Sequence, residues 1–117
     1  MSPLTIASRD AATGPVLELT GDLDYATAPE LRKALDGLTL TSGQLLVLDL
    51  AGLDYCDSSG ITTLLAARNL TIQQNAHLAL AAVPDNTARI LHIVGLDQIF
   101  TIHPDTRAAT HPSTAAS

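Results

Sequence analysis

One stretch governs what this chain can become: Leu45-Leu46-Val47-Leu48-Asp49-Leu50, apolar at nearly every position, followed by Asp57-Ser58-Ser59-Gly60 and then by an apolar pattern at helical spacing. Successive side chains of a strand point to opposite faces, so a run without alternation needs both faces enclosed. The run predicts a central strand, covered by helices on each side or otherwise well enclosed. From Ile61 the spacing is helical through Leu64, Leu65 and Ile72. Arg68 interrupts that stripe, and its stem is expected along the apolar face with the guanidinium in water.

The flanking sequence repeats this alternation. Leu4 and Ile6 alternate with polar residues, and Pro15 to Thr20 places Leu17 and Leu19 on one face. Two half-buried strands joined through Ala11-Ala12-Thr13-Gly14 are expected there. Thr27-Ala28-Pro29-Glu30 fits a capping box, with Leu31, Ala34, Leu35 and Leu38 following at helical spacing. His77 to Val83 predicts a further buried strand. Asn86 to Val94 predicts a helix carrying Ile90, Leu91 and Val94 and stopped by Gly95 in the left-handed terminal position. Ile99 to Ile102 supplies a last short strand. Strands alternating with helices imply an α/β fold: a mixed, mostly parallel sheet of four to five strands with about three to four helices, the first strand antiparallel at one edge.

The chain has 117 residues, 46% of them hydrophobic, which is enough for one core and too little for two. Aromatic residues make up 3% with no tryptophan, so stacking platforms for nucleic-acid bases are missing. A formal charge of -6, from 12 acids against 6 bases, repels phosphate backbones and acidic membranes. Direct nucleic-acid binding and membrane insertion are therefore not expected. Met1 to Gly14 carries no export signal, and no apolar run spans a bilayer, so a soluble, cytoplasmic protein is expected. The single cysteine, Cys56, fits a reducing compartment; its apolar neighbours mark it as a small buried residue and not a redox site.

The hydroxyls at Ser58 and Ser59 admit three readings. The loop after a central parallel strand lies at the carboxyl edge of the sheet, where ligands bind, and it opens a helix whose free amides attract an anion. In the structural reading, Asp57 or Ser58 caps the helix and Gly60 allows close packing. A serine nucleophile would need a base and an oxyanion hole, but no Gly-x-Ser-x-Gly elbow exists. The histidines, His77, His92, His103 and His111, show no zinc-site spacing, and no Gly-x-x-x-x-Gly-Lys nucleotide loop is present. No catalytic residue, metal or cofactor is therefore expected. The third reading is a phosphate acceptor, and spacing alone does not choose between Ser58 and Ser59.

The segments TGDLDYATAPELRKAL, LVLDLAGLDYCDSSGITTLL and ARILHIVGLDQIFTIHP together resemble the STAS domain, most closely the bacterial anti-anti-sigma factors. The resemblance spans roughly Leu4 to Pro104 and rests most specifically on the Asp-Ser-Ser-Gly turn, preceded by the Gly-x-Leu-Asp loop. It implies a binding module and not an enzyme. In the unphosphorylated form such a protein captures an anti-sigma factor that is also a serine kinase, freeing a sigma factor. Phosphorylation of the serine after the aspartate, here Ser58, abolishes binding, and a serine phosphatase reverses it. The implied partner-binding residues are Asp22, Asp24, Asp57, Ser58, Ser59 and Gly60. Asp24 is expected to approach the Ser58 loop from the neighbouring strand. An alternative within the fold is a scaffold subunit of a stress-signalling or lipid-transport complex. The family closes with an amphipathic helix packed on the sheet; Asp105 to Ser117 has no matching apolar stripe. The chain is thus expected to divide into a STAS domain at 1–104 and a polar flexible tail at 105–117.

Overall fold

A computed structural model describes residues 3–110. β1 (Thr5–Ala11) turns back into β2 (Gly14–Leu23); α1 (Ala28–Asp36), β3 (Leu45–Cys56), α2 (Ser58–Gln73), β4 (His77–Ala81) and α3 (Asp85–Ile93) follow. A 3₁₀ turn at Leu96–Gln98, β5 (Thr101–His103) and α4 (Thr106–Thr110) complete the described chain. The five strands lie side by side in sequence order, β1 antiparallel at the edge and the rest parallel. This is the α/β architecture the alternating pattern predicts.

Sequential strand order has a consequence for the layers. Right-handed crossovers that always step in the same direction place their helices on the same face. α1, α2 and α3 accordingly share one side, where Leu31, Leu35, Ile61, Leu64 and Leu91 pack against Leu17, Leu19, Leu46, Leu48, Leu50 and Leu80. The other face has a small cluster of Val16, Val47, Ala79 and Ala81 under Ala109 of α4. The Leu45–Leu50 half of β3 is thus enclosed on both faces, but not by helix layers of equal size, whereas Ala51, Asp54 and Tyr55 beyond it are exposed. Its one acid in the apolar run, Asp49, faces α4 and accepts a hydrogen bond from the Thr106 hydroxyl at 2.7 Å.

Four local expectations are corrected. Thr27 does not form a capping box: its backbone is at φ -102, ψ -16, not the extended conformation that aims a cap side chain at the helix amides. Its hydroxyl instead accepts from the Asp24 amide at 2.9 Å and donates to the Asp22 carbonyl at 2.8 Å. In α2, Ile72 is 53% exposed, while Thr63 and Thr71 are buried in its place. Their hydroxyls donate to the Ser59 and Arg68 carbonyls, so burial leaves no unpaired polar group. Val94 is exposed because α3 has ended by Ile93; Gly95 then takes the left-handed conformation, φ 79, that the sequence leads one to expect. Finally, α4 lies inside the segment expected as a flexible tail, with Thr106 and Ala109 buried. The packed chain thus runs past the expected boundary at 104, and residues 111–117 lie outside the described residues.

Candidate functional site

The parallel pairing of β2 with β3 ends with Asp22 opposite Tyr55 and Leu23 opposite Cys56, after two register shifts at each of which β3 carries one residue more than β2. Those irregularities bring the two strand ends level, so the loops that follow them leave the sheet side by side. The Asp57 amide continues the pairing by donating to the Leu23 carbonyl. The Asp57 backbone then turns to φ -100, ψ -171, the extended geometry of a helix cap.

Asp57 performs two structural jobs. One carboxylate oxygen accepts from the Gly60 amide at 3.0 Å, capping α2, and the other accepts from the Tyr25 amide at 3.3 Å, tying the β2–α1 loop to the turn. A cap of this kind contributes about 1 kcal/mol. Asp24 stands at the same sheet edge, in the loop that the Tyr25–Asp57 hydrogen bond ties to the Ser58 turn. Its carboxylate accepts from the Thr27 amide at 3.1 Å and stiffens its own turn, while Tyr25 supplies the contact between the loops. Asp22 is half-buried at the end of β2.

With Asp57 holding the cap, Ser58 is left over. It is the first residue of α2, exposed, and its hydroxyl makes no hydrogen bond among the described residues. Ser59 is half-buried, and its carbonyl accepts from Thr63. Gly60 is buried where β2, β3 and α2 meet; a Cβ there would lie 2.7 Å from the Leu23 carbonyl oxygen and 2.6 Å from Cys56 Sγ. The two hydroxyls that spacing could not separate are therefore distinguished by burial.

Among the described residues, none of the histidines His77, His92 and His103 is hydrogen-bonded to Ser58 or Ser59. His77 opens β4 at the amino edge of the sheet, opposite the edge carrying Ser58, and His92 pairs with Asp97 at 2.8 Å beyond α3. His111 lies outside the described residues. Among the described residues no group of acids, histidines and cysteine could hold a metal ion, and no helix is long and apolar enough to cross a membrane.

Cys56 sits directly behind the turn, 3% exposed, and burial, with a smaller contribution from the Asp57 charge, pushes its thiol up from 9.0 to about 12. The thiol is therefore neutral and unreactive at physiological pH. Because the folded state holds this proton more tightly than the unfolded chain, the stability from this linkage is complete below pH 9.0 and declines as pH rises toward about 12. Urea titrations across that window should show the wild type losing stability more steeply than Cys56→Ala. Iodoacetamide at pH 8 should label the protein only once it is unfolded.

The family model described as the STAS domain matches residues 6–109. The chain belongs to the STAS domain family. A protein named anti-sigma-B factor antagonist, from Listeria monocytogenes, is 31% identical over 84 residues, covering 72% of this chain and 74% of its own. The anti-sigma-F factor antagonist RsfB of Mycobacterium tuberculosis is 29% identical over 99 residues, covering 85% and 80%. Among solved structures, an anti-sigma factor antagonist from Mycobacterium paratuberculosis superposes with a TM-score of 0.80 at 27% identity, over 91% of this chain and 90% of that one. The five-stranded mixed sheet with its four helices is thus a STAS fold throughout.

One residue of this candidate site is not singled out by the motifs in the sequence. Tyr25 is 82% exposed immediately beside Asp57. The available signal was its chemistry: a tyrosine next to Asp24 in a chain with only Tyr 2, Phe 1 and no Trp.

Proposed function

We propose that this protein is an anti-anti-sigma factor: its unphosphorylated form binds an anti-sigma factor that is a serine kinase, thereby freeing a sigma factor, and phosphorylation of Ser58 ends that binding. A serine phosphatase restores it. The protein acts by binding in the cytoplasm and catalyses nothing itself. The observation that carries this reading is the position of Ser58, exposed at the start of α2 with its hydroxyl unengaged while Asp57 does the capping. The names of its relatives, antagonists of anti-sigma factors, support the same reading.

Physical chemistry indicates how the switch would work. A phosphoserine brings a charge of about -1.5 to -2, and at a helix N-terminus that charge meets the positive end of the dipole. Within the folded protein the modification is tolerated. Against a partner surface shaped for a neutral hydroxyl it suffers desolvation and like-charge repulsion, and each 1.4 kcal/mol lost weakens binding about tenfold. The interface is lost while the fold persists. Asp22, Asp24, Asp57, Ser59 and Gly60 complete the docking edge in this reading, Asp57 and Gly60 by shaping the turn.

The reading is tested with a panel of purified anti-sigma factor kinases and ATP, mapping any phosphate by mass spectrometry. Phosphate on Ser58 is expected, with none on Ser58→Ala. Calorimetric binding in ADP should leave Ser58→Ala close to wild type and weaken Ser58→Asp by at least about tenfold. Phosphate confined to another residue, or equal affinities for all three proteins, would reject the reading.

A further inference from the structure

Beside the Ser58 turn, an open groove of about 530 Å³ runs between α1 and α2. Tyr25 and Pro29 line one side, Ser59 and Thr62 the other, and Arg32 and Lys33 also face into it. Two features distinguish this groove from ordinary surface.

The first is aromatic. Of the chain's three aromatic residues, Phe100 is buried, whereas Tyr25 and Tyr55 are 82% and 50% exposed, both at the sheet edge that leads to Ser58. Leaving a tyrosine in water gains a fold nothing, whereas at interfaces tyrosine is among the residues that carry most binding energy. The second is charge. The protein has 6 bases against 12 acids, yet Arg32 and Lys33 stand adjacent in this lining. Among the described residues Arg9 forms an ion pair with Glu18 and His92 meets Asp97, whereas neither Arg32 nor Lys33 has an acid within ion-pair distance. Asp36 is the one acid in the same lining.

We propose that this groove receives an apolar side chain of the anti-sigma factor, seated against Tyr25, with an acidic residue beside it pairing with Arg32 and Lys33. The proposal rests on the binding reading of Ser58 and adds to it the chemistry that the partner must present. It also sharpens the switch. Ser59 lines the groove and Ser58 precedes it in the first turn of α2, so a phosphate of charge about -1.5 to -2 adds negative charge at the end of the groove assigned to an acidic occupant. Repulsion then falls on the residue that the groove attracts.

The test uses the kinase from the panel above that binds the wild type, titrated in ADP at low and high salt against wild type, Tyr25→Ala and the double variant Arg32→Glu/Lys33→Glu. Thermal melts of all three serve as fold controls, since these exposed side chains leave the core untouched. Tyr25→Ala should bind at least about tenfold more weakly at both salt concentrations. The double variant should lose at least about tenfold at low salt and show a flatter salt dependence than wild type. Binding by both variants within about twofold of wild type, with intact melts, would overturn the proposal while leaving the Ser58 switch in place. A loss in Tyr25→Ala alone would overturn the acidic occupant. If sedimentation shows a wild-type dimer that Tyr25→Ala dissociates, the groove holds a second copy and the proposal is overturned. Failure of every kinase to bind the wild type would overturn the Ser58 reading and this inference with it.

Discussion

Leu48→Ala should cost about 3–5 kcal/mol, read as a lower urea midpoint with an unchanged slope. Leu48 is fully buried in the first half of β3, paired with Leu17 of β2 and Leu80 of β4, and its side chain belongs to the cluster beneath the three helices. A sheet held by hydrogen bonds on both sides cannot collapse onto the vacated volume, so the cavity penalty adds to the lost transfer energy. Since a domain of this size has a total stability of about 5–15 kcal/mol, one residue decides whether much of the population remains folded. Leu48→Met, close in volume, should cost less than about 1.5 kcal/mol. Equal losses from the two substitutions would mean that the cavity argument is wrong at this position.

Gly60→Ala should cost about 2–3 kcal/mol, lowering the melting temperature by roughly 10 °C or more, although alanine is the better helix former. The added methyl group would meet the Leu23 carbonyl oxygen at 2.7 Å and Cys56 Sγ at 2.6 Å. The sulfur is a side-chain end and can shift. The carbonyl is backbone, engaged with the Asp57 amide at the junction of the two site loops, so the first turn of α2 must move away from the sheet. That displacement also moves Ser58, and binding should fall along with stability. Cys56→Ala in the same background relieves one of the two contacts and should recover only part of the loss. Full recovery would place the strain on the thiol alone.

The extent to which this structure is legible in the sequence varies with the physical signal. β3 and α2 are readable because an unbroken apolar run and a helical period are strong and local, and the Asp-Ser-Ser-Gly turn between them sits at the junction where the cap is found. Gly95 is readable for the same reason: a left-handed helix end requires a glycine-like residue, whatever packs around it. What fails depends on tertiary context. Thr27 has the composition of a capping box, but its hydroxyl accepts from the Asp24 amide and donates to the Asp22 carbonyl, and its backbone is not in the extended conformation of a cap. Thr63 and Thr71 look like surface residues until each hydroxyl is paired with its own helix carbonyl. α4 is short and nearly devoid of large apolar residues; it packs because the sheet face beneath it is lined by Ala79 and Ala81, and because Asp49 offers Thr106 a partner.

In the site, chemistry is legible and geometry is not. The loop acids and serines can be named from the motif, yet the division of labour among them cannot. Asp57 capping α2 while holding Tyr25, Asp24 turned to Thr27, and Ser58 left free all follow from how the ends of β2 and β3 come level. Tyr25 carries no periodic signal and becomes visible only when its exposure and its neighbours are known.

The most direct measurement takes protein stoichiometrically phosphorylated on Ser58 and records, on the same sample, its calorimetric affinity for the anti-sigma factor and its thermal melt. The account predicts that affinity falls by at least about tenfold while the melting temperature stays within a few degrees of the unmodified protein, because the added charge is favourable at the helix terminus and unfavourable only against the partner. Undiminished affinity, or a loss of affinity that tracks a collapse of the melt, would contradict it.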